Sequence, residues 1–350
     1  MDEMQVARFL PAQLLHCTTI VETNPGPADS CTSPTGPKRP GARDRLRLAA
    51  VRACLRVTSG RSLRSLQAAG RLLAPLVPLV SGRIRRSIRT NLALCFGELA
   101  PRQLRRLERC ALQHGLSSAL ELGPLWRWEP ERLLGLVRKV DGLEDVAAVR
   151  AAGRGVLILG PHLGAWEIAG LYLGAQMPMT MLYRPPRLPA LERLMRTARE
   201  RCGSQLVPVG SAGMRTLFRA LERGEVIGML PDQDPGESAS AWAPFFGVPA
   251  RTTLLVARLL RCTQARPFLA WAERLPLGRG FHLHLERLDP AGLAASDDEC
   301  AAAALNRALE GAIRRRPEQY LWTYRRFRRL QDGRRPYHGR VPVPAPLGPS

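Results

Sequence analysis

Short apolar runs alternate with amphipathic stretches between residues 155 and 290. The first run, Gly155-Val156-Leu157-Ile158-Leu159, is branched and bounded by glycines, a pattern that is typical of a buried strand. Further strands are predicted at 179–183, 205–209, 225–230, 266–272 and 281–288, and helices at 189–201, 211–223 and 251–262. Strands that alternate with helices predict an α/β fold, with a mostly parallel sheet covered by helices.

The rest of the chain divides by composition. Residues 1–42 are rich in proline, threonine, serine and glycine and lack a lasting periodicity, so they are predicted to be a disordered extension. Residues 43–100 are basic and amphipathic and are predicted to form a helical region that associates with a membrane. Residues 101–337 are assigned to the α/β domain, and residues 338–350 to a disordered tail.

Within the basic region, residues 66–80 form the most apolar piece, which Arg71, Pro75 and Pro78 interrupt. A membrane span needs about 20 apolar residues, and this piece is shorter and broken. Arginines flank it on both sides, which favours a segment lying in an anionic membrane interface. A helical hairpin packed in the protein core fits the same residues equally well.

The charge balance points to an anionic partner. The chain of 350 residues carries a formal charge of +22, nearly all of it from arginine, since Lys38 and Lys139 are the only lysines. Such a surface is expected to bind nucleic acid or the headgroups of an acidic membrane. The C-terminal end interleaves arginines with Trp322, Tyr324 and Phe327, which is compatible with either partner.

Several reaction classes lack their motifs. The sequence contains no G-x-S-x-G nucleophile elbow, no G-x-x-x-x-G-K-[ST] phosphate loop and no G-x-G-x-x-G dinucleotide fingerprint. The eight cysteines are scattered, with no C-x-x-C pair and no Cys/His cluster at zinc-ligand spacing. They are therefore interpreted as reduced thiols.

The chemistry that remains centres on His162 and Glu167, which flank a corner between a predicted strand and a helix. A neutral imidazole supported by a carboxylate is a competent general base, because the acid fixes the tautomer and stabilises the imidazolium. The alternative is a histidine buried in the core and a glutamate that starts a helix, where the helix dipole favours it. His282 and His284 alternate along a predicted strand and are interpreted as lying on a solvated face.

Two more charged residues follow predicted strands. Arg184 comes after 179–183 and Asp232 after 225–230. In open α/β sheets, sites form at the carboxyl ends of strands, so His162, Arg184 and Asp232 are expected at one edge of the sheet. A surface arginine and a turn-forming aspartate are the alternatives.

Six short blocks stand in a fixed order along the chain. They are Asn91-Leu92-Ala93-Leu94-Cys95-Phe96, His162 through Trp166 and Glu167, Leu182-Tyr183-Arg184-Pro185, Leu230-Pro231-Asp232-Gln233-Asp234, Phe245-Phe246-Gly247-Val248, and Tyr320-Leu321-Trp322 with Arg325-Arg326-Phe327. Taken in order, these blocks resemble the late acyltransferases of lipid A biosynthesis (the lauroyl/myristoyl acyltransferase family), within the wider H-x4-D/E glycerolipid acyltransferases. The similarity covers about residues 45 to 337.

The resemblance implies a glycerolipid acyltransferase-like fold and an O-acyl transfer at the cytoplasmic face of a bacterial inner membrane. The implied donor is a fatty acyl thioester on acyl carrier protein, and the implied acceptor is a hydroxyl of a lipid A precursor in the anionic membrane. His162 is expected to act as general base with support from Glu167, and Arg184, Asp232 and Trp166 to bind substrate. The resemblance implies neither a metal nor a cofactor for the reaction.

Three other functions fit parts of this pattern. A related acyltransferase acting on phosphatidylinositol mannoside or another lipid hydroxyl shares the H-x4-D/E block. The arginine-rich end by itself would fit a nucleic-acid-binding protein. No nucleic-acid motif accompanies it, so nucleic acid is not expected as a partner. A membrane-bound scaffold without catalysis is disfavoured by the presence of both His162 and Glu167.

Overall fold

A seven-stranded sheet organises the protein. The computed structural model describes residues 41–186, 188–237 and 239–338, so the predicted disordered extension lies outside the described residues except for its last two positions, as does the predicted tail after His338. The sheet has the order β1-β9-β8-β2-β5-β3-β4, and β6 and β7 form a separate hairpin. The strands are β1 (Val137–Asp141), β2 (Val156–Leu159), β3 (Met179–Tyr183), β4 (Ser204–Pro208), β5 (Val226–Met229), β6 (Ser240–Phe245), β7 (Val248–Thr253), β8 (Arg266–Arg274) and β9 (Phe281–Arg287).

Helices cover both faces of this sheet and precede it in the chain. They are α1 (Ala42–Ser59), α2 (Leu63–Leu73), α3 (Val77–Val80), α4 (Gly82–Cys95), α5 (Pro101–Arg127), α6 (Pro130–Leu134), α7 (Leu143–Ala151), α8 (Trp166–Gln176), α9 (Pro189–Glu200), α10 (Ser211–Glu222), α11 (Leu255–Cys262), α12 (Pro290–Leu293) and α13 (Asp298–Arg315). Short 3-10 turns occupy Ala74–Leu76, Pro276–Gly278 and Pro317–Gln319.

Strands β8, β2, β5, β3 and β4 run parallel to one another, while β9 pairs antiparallel with β8 and carries β1 parallel to itself. The α/β fold with a mostly parallel, helix-covered sheet, predicted from the alternation of apolar runs, is therefore confirmed. The carboxyl ends of β2, β5 and β3 lie at one edge of the sheet, and each is followed by a residue that the sequence analysis singled out.

The prediction of a helix over 251–262 was wrong at its start, because β7 occupies Val248–Thr253 and α11 begins at Leu255. The two-residue loop between β6 and β7 is Phe246-Gly247, and both residues have positive φ, 52° and 75°. That is the backbone of a type I′ hairpin turn, which usually shows in a sequence as Asn-Gly or Asp-Gly. Here a phenylalanine stands in place of the usual Asn or Asp, so the turn is not recognisable from the sequence. The Phe246 ring packs against Phe96 and Trp322.

The alternation along the buried strands divides the core between the two faces of the sheet. On one face, Val156 and Ile158 of β2 pack with side chains of α7, α8 and α9. On the other, Leu157 and Leu159 pack with side chains of α4, α5, α10, α11 and α13. A strand buried on both faces reads as a continuous apolar run, which is why β2 has no polar position.

The N-terminal helices pack onto α5 and leave an apolar surface exposed. Helices α1 and α2 both contact α5, while Leu72 and Leu79 are 77% and 82% exposed, and Leu73 and Leu76 are also exposed. A core hairpin would bury these leucines, so for this part of residues 66–80 the core alternative was wrong. Among the helices that the structure describes, none combines the length and apolarity needed to cross a bilayer.

Asn91 ties helix α4 to the C-terminal segment. Its side-chain amide donates to the carbonyls of Trp322 at 2.7 Å and Tyr324 at 2.6 Å, and its amide oxygen accepts from the hydroxyl of Tyr337. The residue is 1% exposed, so water cannot replace these hydrogen bonds.

We therefore expect Asn91→Ala to lower the free energy of unfolding by about 3 kcal/mol, because it leaves two buried carbonyls without their amide donor and the buried O–H of Tyr337 without an acceptor. The exposed Gln264 provides a control, and Gln264→Ala should stay within about 0.5 kcal/mol of the parent protein. Guanidinium unfolding followed by circular dichroism measures both. Equal midpoints for the two variants would contradict the assigned role of Asn91.

Candidate active site

The site is built where β2 and β5 end side by side. These neighbouring parallel strands are in register from Val156 opposite Val226 to Leu159 opposite Met229. Three residues beyond the end of each strand stand His162 and Asp232, which therefore meet. The backbone N–H of His162 donates to Asp232 Oδ2 at 2.9 Å, and its ring nitrogen Nδ1 lies 2.7 Å from Asp232 Oδ1.

The loop that carries His162 is fixed on two sides. The C-terminal segment holds one side, where the N–H of Leu321 donates to the His162 carbonyl at 3.0 Å. Strand β8 holds the other, where the N–H of Ala165 donates to the Ala272 carbonyl at 2.8 Å. Between them Gly164 adopts a φ of 63°, and a Cβ there would lie 1.9 Å from the Ala272 oxygen. Only glycine fits this approach, so the glycine permits the loop to lie against β8.

Asp232 is 1% exposed, yet its environment favours the ionised carboxylate. Burial alone would raise its pKa, but the charge and hydrogen bonds of His162, with a further hydrogen bond from Tyr320, outweigh burial and hold the pKa below its ordinary value. The Tyr320 hydroxyl is buried against the same carboxylate, and its pKa lies well above the usual range. Asp232 thus stays charged and can stabilise a protonated imidazole ring.

The sequence analysis expects Glu167 to support the His162 ring, but the structure gives the Glu167 carboxylate other hydrogen-bond partners. Glu167 lies in the first turn of α8 and accepts from Arg199 Nε at 2.9 Å, from a second nitrogen of the same guanidinium, and from Trp126 Nε1 at 3.3 Å. The intervening turn at Gly164 and the start of α8 direct the two side chains to different neighbours. The hydrogen-bond partner of the His162 ring is Asp232.

Arg199 also governs the ionisation of Glu167. Burial would raise the pKa of this carboxyl, but the charge and hydrogen bonds of Arg199 prevail and lower it, with smaller contributions from Trp126 and His162. The carboxylate and the guanidinium side chain are 8% and 19% exposed. Glu167 therefore belongs to a buried ion pair next to the histidine.

The other predicted residues lie around this centre. Trp166 packs its ring edge-to-face against His162, with the ring centroids 5.3 Å apart. Arg184 follows the end of β3, next to β5 in the sheet, and is half-buried. Gln233, beside Asp232, has a buried side-chain nitrogen without a hydrogen-bond partner among the described residues.

An apolar cavity opens beside the site, between α8 and the sheet. It holds about 710 Å³ including its open mouth. Trp166, Glu167 and Arg199 line it together with Gly160 and Leu230, which flank the His162 and Asp232 loops. The rest of its lining includes residues of α8, β3 and β5, among them Leu171, Leu173, Met179, Met181 and Gly228.

The sequence patterns did not single out two residues that hold this site. Arg199 is one of many arginines, and nothing local marks it as the partner of Glu167. Arg274 ends β8 and is 3% exposed; it donates to Glu121 at 2.9 Å, to Ser118 at 2.8 Å and to the Gly164 carbonyl at 3.3 Å. The signal that was available was weak: Arg274 ends an apolar strand, where an unpaired charge would be costly.

Known proteins share much of this sequence. A family model described as bacterial lipid A biosynthesis acyltransferase matches residues 49–329. The lipid A biosynthesis lauroyltransferase of Escherichia coli is 32% identical over 250 residues, covering 70% of this chain and 79% of that protein. The palmitoleoyltransferase of the same organism is 32% identical over 244 residues, with 69% and 77% covered, and its myristoyltransferase is 25% identical over 261 residues, with 72% and 79% covered. The resemblance read from the sequence is confirmed, and the chain belongs to the bacterial lipid A biosynthesis acyltransferase family.

Proposed function

We propose that this protein transfers a fatty acyl chain from acyl carrier protein to a hydroxyl of a lipid A precursor, with His162 as general base. One observation supports the proposal: the His162 imidazole is hydrogen-bonded to the buried Asp232, and the apolar cavity beside them is lined by Gly160 and Leu230 next to the same two loops. Asp232 holds Nδ1, which leaves Nε2 as the ring nitrogen that takes a proton.

In this mechanism Nε2 of His162 removes the proton of the acceptor hydroxyl while the oxygen attacks the thioester carbonyl. The carbonyl oxygen becomes an oxyanion, and the thiolate of the carrier protein leaves and regains a proton from the imidazolium. Asp232 stabilises the imidazolium, much as the aspartate of a serine-protease triad does. Arg184 and the free amide of Gln233 are the candidate donors to the oxyanion or to an acceptor phosphate.

Glu167 supports the site indirectly in this proposal. Its ion pair with Arg199 joins α8 to α9 at the wall of the apolar cavity, beside Trp166, which contacts the His162 ring. Glu167 is thus a positioning residue, and the H-x4-E spacing serves to start α8 with a carboxylate that Arg199 can bind.

The apolar cavity is the proposed site of the acyl chain. Its lining is almost entirely hydrocarbon and sulfur, apart from the Glu167–Arg199 pair, and a chain placed there with its thioester near Gly160 would reach the sheet-facing side of α8. The exposed leucines of α2 and α3 are the proposed contact with the lipid surface. Exposed arginines at 61, 64, 83, 85 and 86 would accompany them to anionic headgroups.

The first test distinguishes the roles of the Asp232 and Glu167 carboxylates. His162→Ala and Asp232→Asn should each lower kcat by about 10²–10⁴-fold, because general-base catalysis is lost or the ring loses its charged partner. Glu167→Gln should lower kcat much less and instead destabilise the fold by roughly 3 kcal/mol, because Arg199 is left buried without its counter-charge. Acyl transfer from purified acyl carrier protein to a lipid A precursor and thermal unfolding measure the two effects. Near-normal turnover of His162→Ala would refute the general base, and a Glu167→Gln defect in kcat equal to that of Asp232→Asn would refute the division of roles.

The second test concerns the acyl cavity. Met181→Ala removes a wall side chain and should shift the preferred donor towards longer acyl chains. Each additional buried methylene contributes about 0.8 kcal/mol, or about fourfold in kcat/KM. Met195 is equally apolar but lies outside the cavity wall, so Met195→Ala should leave the preference unchanged. An unchanged chain-length profile in Met181→Ala would place the acyl chain elsewhere.

The third test concerns the membrane surface. The double variant Leu72→Ser/Leu79→Ser should weaken binding to vesicles of anionic phospholipid by at least about tenfold, since burying one leucine contributes about 1.5 kcal/mol or more. Val209 is 53% exposed and lies after β4, outside that surface, so Val209→Ser serves as the control. Flotation with vesicles measures both, and equal binding of the two variants would contradict the proposed contact.

A further inference from the structure

A second cluster of histidines and carboxylates lies where β1, β9 and β8 meet. Asp141 at the end of β1 stands opposite His284 of β9, and Glu273 of β8 stands opposite His282. Because His282 and His284 are two positions apart on one strand, their rings project from the same face of the sheet. They do not lie on a solvated face, as their spacing suggested, because each side chain is only 16% exposed.

Three potential ligands converge in this cluster. His282 Nε2 lies 2.7 Å and His284 Nδ1 lies 3.7 Å from Asp141 Oδ2, and one ligand atom from each of the three residues falls within 4.8 Å of the others. Zinc bonds to imidazole and carboxylate are about 2.0–2.1 Å long, which sets donor atoms about 3.4 Å apart in a tetrahedral site. The two separations from Asp141 Oδ2, 2.7 and 3.7 Å, bracket that value.

The surroundings orient these ligands. Glu273 Oε2 lies 3.5 Å from Nε2 of His284, the nitrogen on the far side of the ring from Asp141. Its other oxygen is held by Arg316 at 2.6 Å, and Trp271 stacks on the His284 ring at 4.2 Å. A carboxylate behind a histidine is the usual second layer of a zinc site, because it fixes the ring and its tautomer.

Two contacts bear on how the cluster would hold an ion. Nε2 of His284 is buried and makes no hydrogen bond among the described residues, since Glu273 is placed at ion-pair distance without hydrogen-bond geometry. A small rotation of the ring towards a metal at Nδ1 would bring this N–H to the carboxylate. Lys139 binds the other oxygen of Asp141 at 2.8 Å, which leaves Oδ2 directed at the two rings.

We propose that Asp141, His282 and His284 bind a divalent transition-metal ion of the zinc type, with Glu273 orienting His284 and water as the fourth ligand. Two imidazoles with one carboxylate suit zinc and its neighbours rather than magnesium or calcium. The cluster shares its sheet face with Trp271, whereas the apolar cavity beside His162 lies on the face of Ala270. The ion therefore links β1 to β9 and takes no part in acyl transfer.

The test is a calorimetric titration of the untagged, full-length protein with Zn²⁺. One ion should bind at micromolar concentration and raise the thermal unfolding midpoint, because a ligand that binds only the folded state stabilises it. The variant His282→Gln/His284→Gln should lose at least about tenfold in affinity. The exposed His338 supplies the control, and His338→Gln should bind as the parent does.

Substitution of Co²⁺ identifies the ligands without any variant. A visible spectrum of a nitrogen- and oxygen-bound tetrahedral ion is expected, whereas a sulfur charge-transfer band would assign the metal to a cysteine and overturn the proposal. No binding to the parent protein up to 100-fold above the protein concentration used, or equal binding to the double variant and the control, would overturn it as well. Acyl transfer in the presence of a chelator should be unchanged; lost activity would overturn the separation of the two sites.

Discussion

The contact between Asp232 and His162 is the constraint around which the site is arranged. One carboxylate binds both the main chain and the ring of the histidine, at 2.9 Å and 2.7 Å. It does so across the ends of two neighbouring parallel strands, so the sheet itself sets the separation of the two residues. Backbone hydrogen bonds from the loop to β8 and from Leu321 to the loop hold the same segment in addition to Asp232.

The site contains two buried carboxylates whose environments differ. Asp232 faces the His162 imidazole and the hydroxyl of Tyr320, so its negative charge interacts with an ionisable ring. Glu167 faces Arg199, a guanidinium that stays protonated, so its charge is matched permanently. His162 is the main favourable partner of Asp232 but a minor one of Glu167, whose charge Arg199 balances. This difference is the physical basis for giving the two residues different roles.

Some of the arginines that give the chain its large positive charge are buried inside the fold. Arg274 and Glu121 form an ion pair whose side chains are 2% and 1% exposed. At the C-terminal end, Arg326 is buried against the Arg251 carbonyl and Thr252. The aromatic residues among these arginines, Trp322, Tyr324 and Phe327, are buried as well. They are core residues, so these three rings are not a stacking platform for nucleic acid bases.

The sequence by itself determined the elements and the family. Short apolar runs predicted β2, β3, β5 and most of β8 within a few residues. The signal is clearest in β2 and β5, because every residue of these strands is buried. The sequence also placed His162 and Asp232 after strands. It could not pair them, since 70 residues separate them and only the strand order makes them neighbours. The partner of Glu167, the turn at Phe246-Gly247 and the meeting of Asp141 with His284 were likewise decided by tertiary structure. Each depends on which strands and helices lie side by side, and local side-chain patterns carry no information about that.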